Sequence, residues 1–404
     1  MKICIISHTF PRYKEDAKSA AFMHPLALGL KEEGNQVTVL VPYNSLLKPE
    51  DFPYKVVQFK YIWPLSLHVL GYSRTLREGM RFEKKLYFLS PLFFLFGIIA
   101  LCKLSRKEKF DVVSSHWILP SGFMAYVASK FTKIPYTIAL AGSDVFIAKK
   151  NLLFRVMALL AASSSAAVLA DSPKFLEDLV SLGAEVKKSD IIPYPVNVEK
   201  FKPNQKENEI LRQELGLKNN AFVVLGVGRL IYKKGFRYLI EAFAGIAKKH
   251  KEAHLVIGGD GDLKNELETL ASDLGIKSKV TFAGNIERDK ISAYYNMCDV
   301  FVMPSISDAQ GNIDDQPVAL IEAMACGKPI VASNFPGISL TVVDGSSGFL
   351  TPQKDSKSIE EALIKLASSG SLRRKMGVES RKIVLNKLSV KKISERYMNI
   401  FNKI

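Results

Sequence analysis

The chain has 404 residues and a formal net charge of +16, from 56 Lys and Arg against 40 Asp and Glu, so it is long enough for two domains that each bury a core. Its basic residues are spread over both halves (+9 in residues 1–200, +7 in 201–404) with no recognisable binding module, which argues against a nucleic-acid binder. Cys4, Cys102, Cys298 and Cys326 are scattered, with no CxxC pair and no neighbouring histidine, so they read as small buried hydrophobes in a reducing compartment, and no metal site is expected.

Lys2 to Ser7 reads as a first buried strand; no charged leader with a long apolar core precedes it, so no secretory signal is expected. Phe22 to Leu30 has helical spacing and stops at Gly34, and Val37 to Val41 is the next strand. Residues 51–110 hold eleven Lys and Arg against four Asp and Glu. Within them lies an uncharged run of seventeen residues, Leu86 to Cys102, flanked by Arg81, Lys84, Lys85, Lys103, Arg106, Lys107 and Lys109. That is short for a membrane span, Pro91 interrupts it, and a span would tear apart the sheet on either side. Two readings are better: a buried core helix behind a surface loop, or a basic apolar face resting on an anionic cytoplasmic leaflet.

Asp111 to His116 is a strand ending in a histidine, which is either a structural core residue or a ligand contact. Pro135 to Leu140 is a strand that runs into Ala141-Gly142-Ser143-Asp144-Val145. Two proline-bearing stretches, Ile191 to Asn197 and Phe201 to Asn204, read as a linker, so the first domain is expected over residues 1–196.

In the second half, Phe222 to Leu230 is an apolar strand that breaks at glycine and delivers Arg229. Lys234-Gly235 follows, and then Phe236, Leu239, Ile240 and Phe243 fall at helical spacing. Two fixed cations beside a glycine-permitted turn and a helix N-terminus make a diphosphate-sized anion site. Leu255 to Gly261 is another strand entering a glycine turn, and Val300 to Met303 is a short buried strand ending at Pro304. Pro317 suits the first position of a helix and Gly327 the residue just past its end. Asp314 then lies in a loop and Glu322 inside the helix, where acids can accept hydrogen bonds from sugar or ribose hydroxyls. The alternation of strands and helices predicts an α/β protein with two doubly wound parallel sheets. Val390 to Ile404 closes the chain with helical spacing and several lysines.

In this order and at these spacings, the segments resemble the family 4 retaining glycosyltransferases of the GT-B fold, over most of the chain. The family's Gly-Arg-Leu and Lys-Gly are matched by Gly228-Arg229-Leu230 and Lys234-Gly235, and its Gly-x-Gly after a strand by Gly259-Asp260-Gly261. Its spaced acids followed by Ala-Met-Ala-x-Gly-x-Pro are matched by Asp314, Glu322 and Ala323 to Pro329, and its closing glycine pattern by Gly337 to Gly348. The resemblance implies two Rossmann-like domains facing a cleft: an acceptor-side domain over 1–196, a nucleotide-sugar-binding domain over 197–385, and a last helix, 386–404, crossing back to the first. It implies that His116 contacts the donor sugar or its diphosphate, and that Ser143 and Asp144 face the cleft on the acceptor side. Arg229 and Lys234 are expected to stabilise the departing diphosphate, with Gly228 and the helix start at Pro317, Val318 and Ala319 also against the donor. Glu322 is expected on the ribose and Asp314 on the sugar hydroxyls.

Three departures stand out. Asp314-Asp315 replaces the usual Glu-Gly, which shortens the first acid by a methylene and adds a neighbouring negative charge. Asp16 to Ala21 stands where the family has a glycine-rich loop near the donor phosphates, and Ala141 where it often has a histidine.

The implied reaction is retaining transfer of a sugar from a nucleotide-sugar co-substrate to an acceptor hydroxyl, without further cofactor and with fixed cations in place of a divalent metal. The basic apolar run favours a lipid-linked glycan or glycolipid precursor of cell-envelope polysaccharide as acceptor. It also favours a cytoplasmic protein in peripheral contact with the inner face of an anionic plasma membrane. A nucleotide-sugar epimerase of the same fold, or a scaffold that has lost catalysis, stays open at this point.

Overall fold

The short apolar runs form parallel strands, most of them buried on both faces, as sheets covered by helices on either side require. In the computed structural model all residues are described except 15, 17, 18, 73–84, 219 and 310, and the side chains of 85–88. The chain divides into two compact units, one of residues 1–195 with 390–404 and one of residues 196–389.

Unit 1 holds β1 (Lys2–Ile6), β2 (Gln36–Pro42), β3 (Lys55–Phe59), β4 (Val112–His116), β5 (Tyr136–Leu140), β6 (Ala167–Ala170) and β7 (Ser189–Ile191). They pair in parallel in the order β3-β2-β1-β4-β5-β6-β7. Among its helices are α1 (Met23–Glu32), α2 (Lys85–Glu108), α3 (Phe123–Thr132) and α4 (Leu152–Ser164). Unit 2 holds β8 (Phe222–Val227), β9 (Ala253–Gly258), β10 (Val280–Gly284), β11 (Val300–Met303), β12 (Ile330–Ser333) and β13 (Gly348–Thr351), in the parallel order β10-β9-β8-β11-β12-β13. Its helices include α5 (Phe236–Lys249), α6 (Val318–Ala325) and α7 (Pro336–Ser339); the last helix of the chain, α8 (Val390–Phe401), belongs to unit 1.

Strand alternation builds the unit 2 core: Val223, Leu225, Phe301 and Met303 pack on one side of the sheet, and Val224, Val300 and Val302 on the other. In each sheet the strand order reverses once, between β1 and β4 and between β8 and β11. At such switch points the loops after the two strands diverge and leave a crevice at the carboxyl ends.

Several boundaries differ from expectation. β8 stops at Val227, so Gly228, Arg229 and Leu230 are loop. β7 takes up Ile191 at the start of the expected linker. Pro317 is the residue capping α6 rather than its first member, because its ψ of 122° is extended. Pro91 does not interrupt α2, which runs through it. This helix is also neither fully buried nor free of the fold. Phe93 packs on Phe59 and Tyr61, and Gly97 lies so close to Met124 of α3 that a side chain there would collide. Yet Leu95, Phe96 and Ile99 face outward, and about a third of the apolar stretch (33%) is buried. The stretch Leu89–Glu108 is long and apolar enough to cross a membrane by composition, but these contacts hold it as a layer of unit 1. Arg81 and Lys84, expected to flank it, lie outside the described residues.

On the other face of that sheet, α8 packs on α1, and Ile393, Tyr397 and Phe401 join Met23, Leu26, Ala27 and Leu30 in one core. The two helices meet at Gly29, where a methyl would strike Ser394 and Val390. Gly29→Val should therefore cost about 1–3 kcal/mol by overpacking, read as a lower urea midpoint for unit 1. A variant as stable as the parent would show that α8 shifts freely on α1.

Candidate functional site

Backbone hydrogen bonds hold the loop after β8. Gly228 donates to the Gly258 carbonyl at 2.9 Å, Leu230 to Asp260 at 2.9 Å, and Leu263 to Leu230 at 3.0 Å. A methyl on Gly259 would run into the Gly228 carbonyl oxygen, so that glycine is needed for the two turns to touch. Gly259-Asp260-Gly261 thus supports the segment that presents Arg229, an exposed residue.

Tyr232–Lys234 forms a single 3-10 turn, and Gly235, at φ +66°, turns the chain into α5. Any Cβ there would strike the Pro304 carbonyl, while Ile306 donates to the Lys233 carbonyl at 2.8 Å. The lysine turn is thereby stitched to the loop after β11, across the switch point. Lys234 crosses over Gly228, and its Nζ makes a salt bridge with Asp314 Oδ2. Burial pushes the Asp314 carboxyl up, but Lys234, Lys233 and Arg229 outweigh it and the net shift is downward. Burial holds the Lys233 ammonium below its ordinary range, with Lys234 and Arg229 adding to this and Asp314 opposing. Arg229, Lys233, Lys234 and Asp314 therefore form one electrostatic cluster. Lys233 was not singled out in the sequence, where the Lys-Lys pair was the available signal; both lysines are half-buried.

The second acid of the departure has its own task. Asp315 is buried, and its Oδ1 accepts from the Gly337 amide at 2.8 Å where α7 begins, so its carboxylate is engaged by unit 2 itself. Next to it, Gln316 is buried with neither amide atom partnered. Pro317 offers no side-chain cap to α6, so the first amides of that helix, at Val318 and Ala319, have no intrahelical partner. At the far end, Gly327 and Lys328 donate back to Met324 and Ala323, closing the helix in a Schellman turn.

Glu322 sits one turn into α6 and is buried. Its Oε1 pairs with Arg288 Nη2 at 2.5 Å, and its Oε2 accepts from the Tyr295 hydroxyl at 2.9 Å. Arg288 comes from the loop after β10 and also lies over the Phe201 ring. Neither Arg288 nor Tyr295 carries a sequence signal for this role, since only the fold brings them to Glu322.

In unit 1, His116 ends β4 with 4% of its surface exposed, and its ring lies parallel to that of Tyr397 from α8. Burial pushes its pKa down to about 3, so it is neutral near pH 7, and its Nε2 has no partner. It faces a small internal cavity shared with Phe22, Asp171, Tyr194 and Tyr397. Asp144 is also buried; its Oδ2 accepts from the Ile118 amide at 2.5 Å and its Oδ1 from Val145 at 3.0 Å. Burial pushes that carboxyl up to about 6, against those backbone bonds. Asp144 therefore pins the loop after β4 rather than facing outward, whereas Ser143 is exposed. Across the unit 1 switch point, His8 meets Trp117 edge-on, and burial holds it down to about 4. In the segment that stands where the family has a glycine-rich loop, residues 17 and 18 lie outside the described residues; Asp16 pairs with Arg12 through both oxygens, at 2.6 and 2.9 Å.

Residues 19–195 match the family described as Glycosyl transferase 4-like domain, and residues 207–383 the family described as Glycosyl transferases group 1. The chain is a family 4-like glycosyltransferase of GT-B fold. It is 27% identical to an uncharacterised glycosyltransferase of Methanocaldococcus jannaschii over 99% of this chain and 98% of that one. It is also 27% identical to the UDP-Gal:alpha-D-GlcNAc-diphosphoundecaprenol alpha-1,3-galactosyltransferase of Escherichia coli, over 76% and 78% of the two chains. The fold is shared with the Anabaena protein HepE solved in complex with UDP, at a TM-score of 0.77, 19% identity and full coverage of both chains.

The burial of Glu322 makes its cation indispensable to this glycosyltransferase. Arg288→Met should destabilise unit 2 by about 3–5 kcal/mol by leaving a buried charge unpaired, and adding Glu322→Gln should recover much of that loss. Urea unfolding of the single and double variants measures this; no recovery in the double variant would rule out the pairing as the cause.

Proposed function

We propose that this glycosyltransferase moves a sugar from a nucleotide diphosphate donor to an acceptor hydroxyl with retention at the anomeric carbon. The observation that carries the reading is the convergence of Arg229, Lys233 and Lys234 at the carboxyl end of β8, across from the uncapped start of α6. As the glycosidic bond breaks, negative charge grows on the departing diphosphate, and cations fixed beforehand stabilise it without reorganising. The amides of Val318 and Ala319, at the positive end of α6, add to that field.

Lys234 is paired with Asp314. A diphosphate entering there takes over the ammonium and releases the Asp314 carboxylate to accept from sugar hydroxyls. Glu322, oriented by Arg288 and Tyr295, keeps a lone pair on each oxygen for the ribose. Within unit 1, neutral His116 keeps Nε2 unpartnered among the described residues, Ser143 is exposed, and Asp144 acts through the loop it pins. The acceptor class we favour is a lipid-linked glycan or glycolipid precursor for the cell envelope, met at the inner face of the plasma membrane. The undecaprenol-linked substrate in the name of the Escherichia coli relative and the outward apolar side of α2 support it.

Arg229→Ala should lower kcat by roughly a hundredfold or more, the scale of losing one charge-stabilising donor, with the fold intact by circular dichroism. Near-normal turnover would remove Arg229 from the site. Because fixed side-chain cations do the work of a metal, turnover should also survive EDTA; a loss restored by Mg or Mn would overturn that part.

A further inference from the structure

Right-handed crossovers put α1 on one face of the unit 1 sheet and α2, α3 and α4 together on the other, because β2 and β3 lie on one side of β1 while β4, β5 and β6 follow on the opposite side. α2 packs against α3, and α3 against α4, so their outer sides form one continuous surface. That surface is unusually apolar. Leu152 and Leu153, at the start of α4, are 73% and 66% exposed, Phe131 at the end of α3 is 64% exposed, and Val156, Leu95 and Phe96 continue the patch. Scattered single hydrophobes are ordinary on a surface, but leucine and phenylalanine exposed on all three helices of one face point to an interaction surface.

Cations outnumber acids around it, although Lys149 is paired with Asp178 and Glu108 ends α2. Between residues 112 and 170 the only acid is Asp144, which is buried and engaged by two backbone amides. The same stretch carries Lys130, Lys133, Lys149, Lys150 and Arg155. Lys150 directly precedes the Asn151 cap of α4, so cations adjoin the two most exposed leucines. At the end of α2, Lys103, Arg106 and Lys107 are exposed as well. A surface that is apolar at its centre, basic at its rim and free of exposed acid between residues 112 and 170 complements an anionic headgroup layer over acyl chains.

We propose that the outer face of α2, α3 and α4 docks on an anionic bilayer, with Leu152, Leu153 and Phe131 inserting among the lipids and the flanking lysines bound to the headgroups. In its purpose this rests on the lipid-acceptor reading above, but the surface is built from unit 1 alone. α4, rather than the long apolar α2, is the main inserting element, because its exposed residues are the least covered by the fold.

The test is co-sedimentation of the full chain with vesicles of phosphatidylcholine alone and of phosphatidylcholine with phosphatidylglycerol, at low and high salt. The wild type should pellet with the mixed vesicles in a salt-sensitive way and far less with the neutral ones. Leu152→Glu/Leu153→Glu should weaken that binding about tenfold or more, since two leucines lose their burial in lipid. Lys130→Glu/Lys150→Glu, which removes no apolar contact, should do the same and covers the case in which the leucine variant fails to fold. Val378→Glu, the same kind of change on an exposed residue of unit 2, should bind as the wild type does. No wild-type binding to the anionic vesicles, or double variants that bind normally, overturns the proposal. So does a wild type that dimerises in sedimentation velocity through these leucines without binding vesicles. Donor hydrolysis and transfer to a water-soluble acceptor, measured on the same variants, should be unchanged. Failure of the transfer reading would show there and not in the pellet.

Discussion

Everything at the proposed donor site depends on two backbone loops crossing at the β8–β11 switch point. Gly235 passes under the Pro304 carbonyl with no room for a side chain, and the Ile306 amide is bonded to Lys233. This contact places a lysine turn from one side of the sheet beside an acid from the other, so Lys234 and Asp314 meet although 80 residues separate them. The side chains are therefore consequences of the crossing. A glycine with positive φ permits it, and parallel β11, short and buried, delivers the second loop at the correct height.

Burial then sorts the charges into two kinds. Asp144, Asp315 and Glu322 lie inside the fold, and each accepts from a partner fixed nearby: backbone amides for the first two, Arg288 and Tyr295 for the third. Such groups hold loops and helices in place, and their desolvation makes them costly to strand. Arg229, Lys233, Lys234 and Asp314 are different, because their charges act on one another at the loop ends, with Asp308 also acting on Lys233. Three cations gathered at loop ends, rather than locked in a buried pair, suit the anion-binding role proposed for them.

These two kinds also explain what could be read from sequence. The strands, the switch between them and the Gly-Arg-Leu and Lys-Gly loop were legible because period-two apolar runs and glycines at turns encode local geometry. Asp314, Lys234 and Glu322 were picked out by spacing along the chain, and the fold brings the first two together. Arg288, Tyr295 and Lys233 were not, since their contact with the site is made by the fold across distant segments and no local pattern marks it. Asp315 was read as added negative charge near the donor, whereas its carboxylate is turned to the Gly337 amide; chain adjacency says nothing about which way two neighbouring side chains point. For α2, length and Pro91 suggested a break, but a proline removes only one amide bond, and packing of Phe93 and Gly97 on the sheet and α3 keeps the helix whole.

The handedness of the crossovers finally divides the labour of the unit 1 sheet. Its α1 face is closed by α8, whose Ile393, Tyr397 and Phe401 fill the groove and leave no broad apolar surface there. Its α2–α4 face has no such cover among the described residues of its own unit, and residues 112–170 keep leucine and phenylalanine outward with Asp144 as their one acid. A chain selected only for solubility would place acids among those lysines, since added Asp and Glu reduce self-association most effectively. Their absence from residues 112–170, apart from the one held inside, fits a surface shaped by something anionic outside the protein.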